Sequence, residues 1–469
     1  MAQFPPPPGY APSTTPLPAY SRRRPASRPS TARREGTEHV FDLRNKHNNI
    51  WALLKITSAA RGPEHLPTYL EGDSIKGSLY LNLDHPDAIL SITIRVTGQI
   101  TTGDRPEDTF TFLDFPVALW SKDGSEDSSP PSPSSPRAGS GKLHGEYTWP
   151  IHISIPKGVD IASTHSASGS GNSSGTSLQT YQLPQTFMER HTRASVQYSL
   201  LLHVQRGAFR SDSKIKTLFI YVPAIQPGPP SMLRQLAYQE NSPLLGPEAD
   251  PDGWRSFSPI TVRGRIFSAR DVELTATLSL ATPFSYTRGS AIPCHLVFTC
   301  PDPQALDLLA TSRSITLCLR RRVKPSHGTV QAEHNSWSVV KVSTDDDVAT
   351  AVWWPSPEGD GQTTPTKRVL DGEIKLPKSL KPTSLLAHFS IAYRVIWLPF
   401  RAPAFKSMRP EPILEYPVQI ATVFANGPRA RSYAPPEYDN IPRGDNRPSS
   451  RPGTGGVNPS SVVPWALAS

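Results

Sequence analysis

The chain lacks any run of about 18 apolar residues, the length that crosses a bilayer as a helix, and Met1 to Ser30 has no apolar leader core. The expectation is a protein neither secreted nor membrane-spanning. Cysteine is scarce: there are three, Cys294, Cys300 and Cys318, all in the second half. An odd number so placed implies no disulfide framework and fits a reducing compartment, with the thiols as core or strand residues. No phosphate-binding loop or dinucleotide fingerprint occurs. Cys294, His295, Cys300 and His203 supply no Cys-x-x-Cys or His-x-x-x-His pair, so neither metal nor cofactor is expected. Asp345-Asp346-Asp347 has no glycine-containing calcium loop around it and reads as a solvated turn. Gly171-Asn172-Ser173-Ser174-Gly175 fits Gly-x-Ser-x-Gly, yet it lies in a Ser/Gly linker and not on the strand-to-helix turn a hydrolase nucleophile requires. No enzyme is expected.

Proline is what the chain has in excess, 52 of 469 residues. Proline removes a backbone donor and breaks helices, so a composition 36% hydrophobic points to β-rich cores joined by long loops. Residues 1–36 and 426–469 are too polar and proline-rich to bury a core and read as disordered tails. Between them the apolar residues alternate. Leu79, Leu81 and Leu83 form one run and Leu90, Ile92, Ile94 and Val96 the next, with Asp84-His85-Pro86-Asp87 as a hairpin signal between neighbouring strands. Val196, Tyr198, Leu200, Leu202 and Val204, then Leu218, Ile220 and Val222, form a second hairpin around Arg206-Gly207.

A first domain is therefore expected over 37–224, with disordered insertions at 121–145 and 160–180. Residues 225–254 read as a linker in which Ser231 to Leu236 could make a helical turn. A second domain follows over 255–425. Its period-two runs are Leu274 to Leu280, Ile292 to Cys300, Ile315 to Leu319 and Phe389 to Trp397. No amphipathic helix intervenes, so the fold class is all-β: two tandem immunoglobulin-like antiparallel β-sandwich lobes.

Two short motifs stand out in the tails. Pro7-Pro8-Gly9-Tyr10 and Pro435-Pro436-Glu437-Tyr438 both read Pro-Pro-x-Tyr, where random placement would give about 0.2 matches. Consecutive prolines favour the polyproline II helix, so an aromatic-lined groove takes such a peptide at little ordering cost, with the tyrosine as anchor. WW domains read this pattern, and Tyr438 ranks ahead of Tyr10. Leu17-Pro18-Ala19-Tyr20 and Leu66-Pro67-Thr68-Tyr69 are weaker variants, the second abutting a strand. The formal charge of +9 is concentrated at Arg22, Arg23, Arg24, Arg28, Arg33 and Arg34, an arm suited to an anionic lipid surface or nuclear import, or else simply solvated. Phosphorylation candidates are the proline-directed Ser129, Ser132 and Ser135 and the basophilic Ser27 and Ser432.

Tyr69-Leu70-Glu71-Gly72-Asp73-Ser74-Ile75-Lys76-Gly77, with Gly98 closing the next strand, resembles the early strand motif of arrestin-like N-terminal lobes. Tyr147-Thr148-Trp149-Pro150 with Ile151, Ile153, Ile155 and Pro156, and then Val196 to Leu200, resemble later strands of that lobe. Thr282 to Gly289 with Ile292-Pro293, and Phe389 to Val395, are similar to strands of the C-terminal lobe. The resemblance covers about 37–425, and with the Pro-Pro-x-Tyr pair it is to α-arrestins of the fungal trafficking-adaptor type. It implies a non-enzymatic adaptor that recruits a WW-domain HECT ubiquitin ligase of the Nedd4 type to a transporter or receptor, for ubiquitination and endocytosis. Such a protein is cytoplasmic and peripheral at plasma membrane and endosomes, with no nucleic-acid partner expected. A pH-signalling arrestin coupled to a seven-helix sensor and a retromer-like coat subunit share the architecture. No polar core of the visual-arrestin kind is identifiable, so the resemblance implies no phosphate-triggered switch.

Overall fold

The computed structural model describes residues 36–103, 105–122, 142–164, 176–192, 194–207, 210–325, 343–357 and 364–436. The described chain is all-β with two short helices, and its sheets are mostly antiparallel. It divides into two units. Unit 1 takes the residues up to Ile225 with parts of 322–344 and 381–392, and unit 2 takes the rest.

Unit 1 carries β1 (Thr37–Arg44), β2 (Ile50–Ser58), β3 (Thr68–Leu70), β4 (Ser74–Asp87), β5 (Ile89–Thr101) and β6 (Thr109–Ser121). It continues with β7 (Leu143–Ser154), β8 (Gly158–Thr164), β9 (Thr176–Gln182), β10 (Phe187–Met188), β11 (Ser195–Arg206) and β12 (Ser213–Val222). One sheet has the order β1-β2-β4-β7, and another runs β3-β12-β11-β5-β6 with β10 on β11. Alternation decides which face is buried. In the first sheet Leu54, Leu79 and Trp149 lie in register and are buried, and in the second Val96 pairs with Leu200 and Ile94 with Leu202. Each such aliphatic side chain contributes about 1.5–3 kcal/mol by leaving water.

The segment Tyr69 to Gly77 owes its composition to a turn and a close approach. Tyr69 is 2% exposed, and its ring meets Phe219 edge-on at 5.5 Å. Gly72 has φ +90°, where a side chain is strained, and Asp73 Oδ2 accepts from Leu70 N at 2.8 Å to close the turn. Glu71 Oε2 accepts from Ala224 N at 3.0 Å and from Gln182 Nε2 at 2.8 Å. A Cβ on Gly77 would sit 1.9 Å from the Lys55 carbonyl oxygen, so only glycine lets β2 and β4 pair there.

The hairpin expected at Asp84 to Asp87 does not form. β4 and β5 belong to different sheets, and the chain crosses between them at Asp87, whose carboxylate bonds Arg206 Nε at 2.8 Å and Arg210 Nη1 at 2.9 Å. Gly98 does not end its strand either. β5 continues to Thr101 through a bulge opposite Phe112 and Leu113, against which a Cβ would collide. The β11–β12 hairpin forms as expected, with Tyr198 opposite Phe219. The disordered insertion expected at 160–180 is corrected in part. β8 and β9 pair over Gly158↔Gln182 to Thr164↔Thr176, with backbone hydrogen bonds along the ladder and Ile161 of β8 buried. Residues 165–175 and 123–141 lie outside the described residues.

Unit 2 begins at Gln226 and not at 255. It contains α1 (Met232–Glu240), β13 (Trp254–Ser256), β14 (Ile260–Ile266), β15 (Arg270–Ala281), β16 (Ser285–Thr287), β17 (Ala291–Thr299) and α2 (Pro303–Leu309). Then come β18 (Thr316–Pro325), β19 (Thr344–Pro355), β20 (Lys367–Lys375), β21 (Ser384–Leu386), β22 (Phe389–Leu398), β23 (Phe405–Ser407) and β24 (Leu414–Ala421), some of whose residues fall in unit 1. The sheet order is β16-β24-β22-β18-β19-β20-β17-β15-β14-β23. Leu274, Leu278, Leu296, Phe298, Leu317 and Trp397 fill its core. All three cysteines are free and buried there, and burial pushes the Cys318 thiol up to about 12.

The expected linker 225–254 is part of unit 2. Ser231 caps α1, accepting from Arg234 N at 3.2 Å, and donates to Asp250 Oδ2 at 2.6 Å. Arg234 is 3% exposed, and its guanidinium donates to the carbonyls of Thr282 and Gly253 and lies 4.8 Å from the Trp254 ring centroid. A buried cation satisfied by backbone carbonyls and an indole fixes the segment to the sheet. Asp345-Asp346-Asp347 is likewise no solvated turn but the start of β19. Arg320 grips Asp347 with two hydrogen bonds of 2.7 and 3.1 Å, and Arg321 Nη2 bonds Asp346 Oδ2 at 2.9 Å.

Candidate functional site: the approach to the second Pro-Pro-x-Tyr

Strand β24 ends at Ala421, and the chain from there to Pro436 lies along unit 2, a correction to the disordered tail expected from 426. The reason is a string of specific contacts. Gln226 Nε2 donates to Phe424 O at 3.0 Å and Asn426 Oδ1 at 3.2 Å, and the Arg429 guanidinium lies 5.1 Å from the Phe424 ring centroid. Gly427, at φ +109°, reverses the chain where a larger residue would be strained. Arg431 Nη1 then donates to Asn241 Oδ1 at 3.1 Å. Asn241 itself is the left-handed cap of α1, at φ 58°.

Ser432 and Tyr433 converge on one carboxylate. Glu373 stands on β20 between Pro293 of β17 and Val352 of β19, and it is 3% exposed. Ser432 Oγ donates to Glu373 Oε1, and Tyr433 N donates to Glu373 Oε2 at 2.9 Å. A buried carboxylate is costly unless it is hydrogen-bonded, so these two donors matter to unit 2 as well as to the segment. The Tyr433 ring stacks on Tyr238 of α1 at 6.2 Å and 21°, and its hydroxyl donates to Ala237 O at 3.2 Å. Burial pushes the Tyr238 phenol up to about 12 and raises that of Tyr433 as well.

Pro435, the first proline of the motif, borders a cavity of about 350 Å³ that it shares with Tyr433, Leu244, Trp254, Trp354 and Pro355. Its wall combines two indoles and several prolines with Cys294 and the carboxyl-bearing Asp371 and Glu373. Pro436 is exposed, and the described chain ends there.

The other predicted residues distribute simply. Pro7, Pro8, Gly9, Tyr10, the six arginines from Arg22 to Arg34, Ser27, Ser129, Ser132, Ser135, Glu437 and Tyr438 lie outside the described residues. The Tyr69 segment is core, with Ile220 N donating to Pro67 O at 2.8 Å. His203 bonds Asp212 at 2.9 Å and His295 bonds Asp371 at 2.7 Å, and among the described residues no cluster of three or more His, Cys, Asp or Glu could hold a metal ion. Among the described residues, too, no helix is long and apolar enough to cross a membrane. Sequence reasoning missed Glu373, Trp254, Trp354 and Tyr238. The Arg-x-Arg-Ser-Tyr run before the motif was the one signal on the segment's side, and nothing local marks a lone glutamate inside a strand. No protein-family model and no curated protein matches this chain.

Proposed function

We propose that the protein is a non-enzymatic adaptor of the arrestin-like kind. Its Pro-Pro-x-Tyr motifs recruit a WW-domain HECT ubiquitin ligase of the Nedd4 type, and its β-sandwich units select an integral membrane transporter or receptor for ubiquitination and endocytic sorting. The reading is carried by one observation: two Pro-Pro-x-Tyr copies, at Tyr10 and Tyr438, bracket the described β units in sequence. Two mainly antiparallel units support it, as does the ordered run of strand motifs that resembles the arrestin family.

Two ligands on one chain let a ligase with several WW domains engage both, and the second contact is then intramolecular. The arginine arm at Arg22 to Arg34 would add attraction to anionic cytosolic membrane, at about 1 kcal/mol per basic residue close to the surface. Placement at plasma membrane and endosomes follows from that work.

The test is ligase co-purification and cargo ubiquitination in cells carrying the wild-type chain or Tyr10→Ala with Tyr438→Ala. The double variant should lose both, with circular dichroism and the unfolding midpoint unchanged. Wild-type levels of ligase on the double variant would overturn the adaptor reading in favour of a coat subunit, which needs no WW ligand.

A further inference from the structure

We propose that Ser432 is a phosphorylation site and that its modification expels residues 431–435 from their groove on unit 2. Expulsion frees Pro435, the first residue of the second Pro-Pro-x-Tyr motif, for a partner. The release stands on the geometry of unit 2; the WW domain as partner rests on the adaptor reading above.

Three features meet at this residue. The first is access: Ser432 is exposed although its hydroxyl is turned to Glu373, and Arg429 and Arg431 precede it at the −3 and −1 positions that basophilic kinases favour. The second is charge. Glu373 is 3% exposed, and among the described residues its carboxylate is bonded by Ser432 Oγ and Tyr433 N, both from the segment itself. Arg431 and Arg429 are engaged elsewhere, on Asn241 and Phe424. A phosphoryl group brings about −1.5 to −2 charge and no proton to donate, so it replaces an accepted hydrogen bond with repulsion against a buried anion. The third is what the segment covers. Pro435 faces the cavity beside Trp254 and Trp354, and a WW groove needs that same proline ring, so one ring cannot serve both.

The chemistry is an ordinary phosphoryl transfer. A kinase binds the segment while it is transiently released. The Ser432 Oγ–P bond forms as the bond between the γ-phosphorus of ATP and ADP breaks, and the hydroxyl proton passes to the kinase base. The phosphate then bars return to Glu373, which shifts the docked–released equilibrium without new contacts elsewhere.

Full-length protein should be prepared with serine or phosphoserine at 432, each also in a Glu373→Gln background that keeps the acceptor oxygen and removes the charge. Hydrogen–deuterium exchange across 426–436 and α1 reads release directly, and a purified WW domain reads motif access. Phosphoserine should raise exchange in both segments and tighten WW binding about tenfold or more. In the Glu373→Gln background the increment should shrink markedly. Unchanged exchange on phosphorylation, or an increment undiminished by Glu373→Gln, overturns the proposal. Exchange that rises while the WW domain ignores both the protein and a free 430–442 peptide supports the release and overturns the adaptor reading, so the two failures are distinguishable.

Discussion

Two proline–tyrosine segments are tied to the β framework, and they are held in opposite ways. Leu66-Pro67-Thr68-Tyr69 enters β3, pairs with β12 and places its tyrosine 2% exposed against Phe219. Ser432-Tyr433-Ala434-Pro435 pairs with no strand among the described residues. Its tyrosine is half-buried, and it is held by one carboxylate, one stacked ring and one carbonyl. The same residue types thus pair in a sheet in one place and lie on unit 2 by a few side-chain and backbone contacts in the other. Burial on all sides and a backbone ladder distinguish them, because both must be lost before Tyr69 leaves and neither restrains Tyr433.

The largest expected effect comes from breaking the permanent side of that comparison. Tyr69→Ala removes a buried aromatic ring and should cost about 3–5 kcal/mol, read as a lower denaturation midpoint with unchanged slope. Tyr433→Ala comes next. Loss of its stacking and its hydroxyl bond should cost about 1 kcal/mol and appear as faster amide exchange in α1 and 426–436, with the main unfolding transition unmoved. Thiol labelling separates the two classes of damage. Cys300 and Cys318 are buried with raised pKa values, so both should resist a thiol reagent at pH 8 in wild type and Tyr433→Ala alike, and react only on unfolding of unit 2. The smallest effect belongs to Arg431→Ala, which loses a single exposed bond to Asn241 and should alter stability by less than about 0.5 kcal/mol.

Much of the fold was legible in the sequence because burial on one face imposes period two. The runs at Val196 to Val204, Ile292 to Phe298 and Phe389 to Trp397 are strands with the alternating residues inside. Sheet membership was not legible. Alternation is the same whether Leu83 and Ile92 share a sheet or lie in two, and the ion pairs of Asp87 that accompany the crossing come from Arg206 and Arg210, far along the chain. Composition misled at 225–254, where prolines and polar residues suggested a linker, and at 426–436, where they suggested a disordered tail. Those segments are ordered by a few specific bonds to residues outside them, Arg234 to Thr282 in one and Tyr433 to Glu373 in the other. The Pro-Pro-x-Tyr motifs were visible from spacing alone, but the cavity that Pro435 borders was not, since Leu244 and Trp254 come from one part of the chain and Trp354 from another about 100 residues on.

The central claim is that this chain is read by WW domains at two places, and calorimetric titration of a purified WW domain into the full-length protein tests it most directly. The account predicts two equivalents bound by wild type at saturation, the Tyr438 site being the weaker while Ser432 is unmodified, one by Tyr10→Ala or Tyr438→Ala, and none by the double variant. Undiminished binding by the double variant, or no binding by wild type and by free peptides of both motifs, would contradict it.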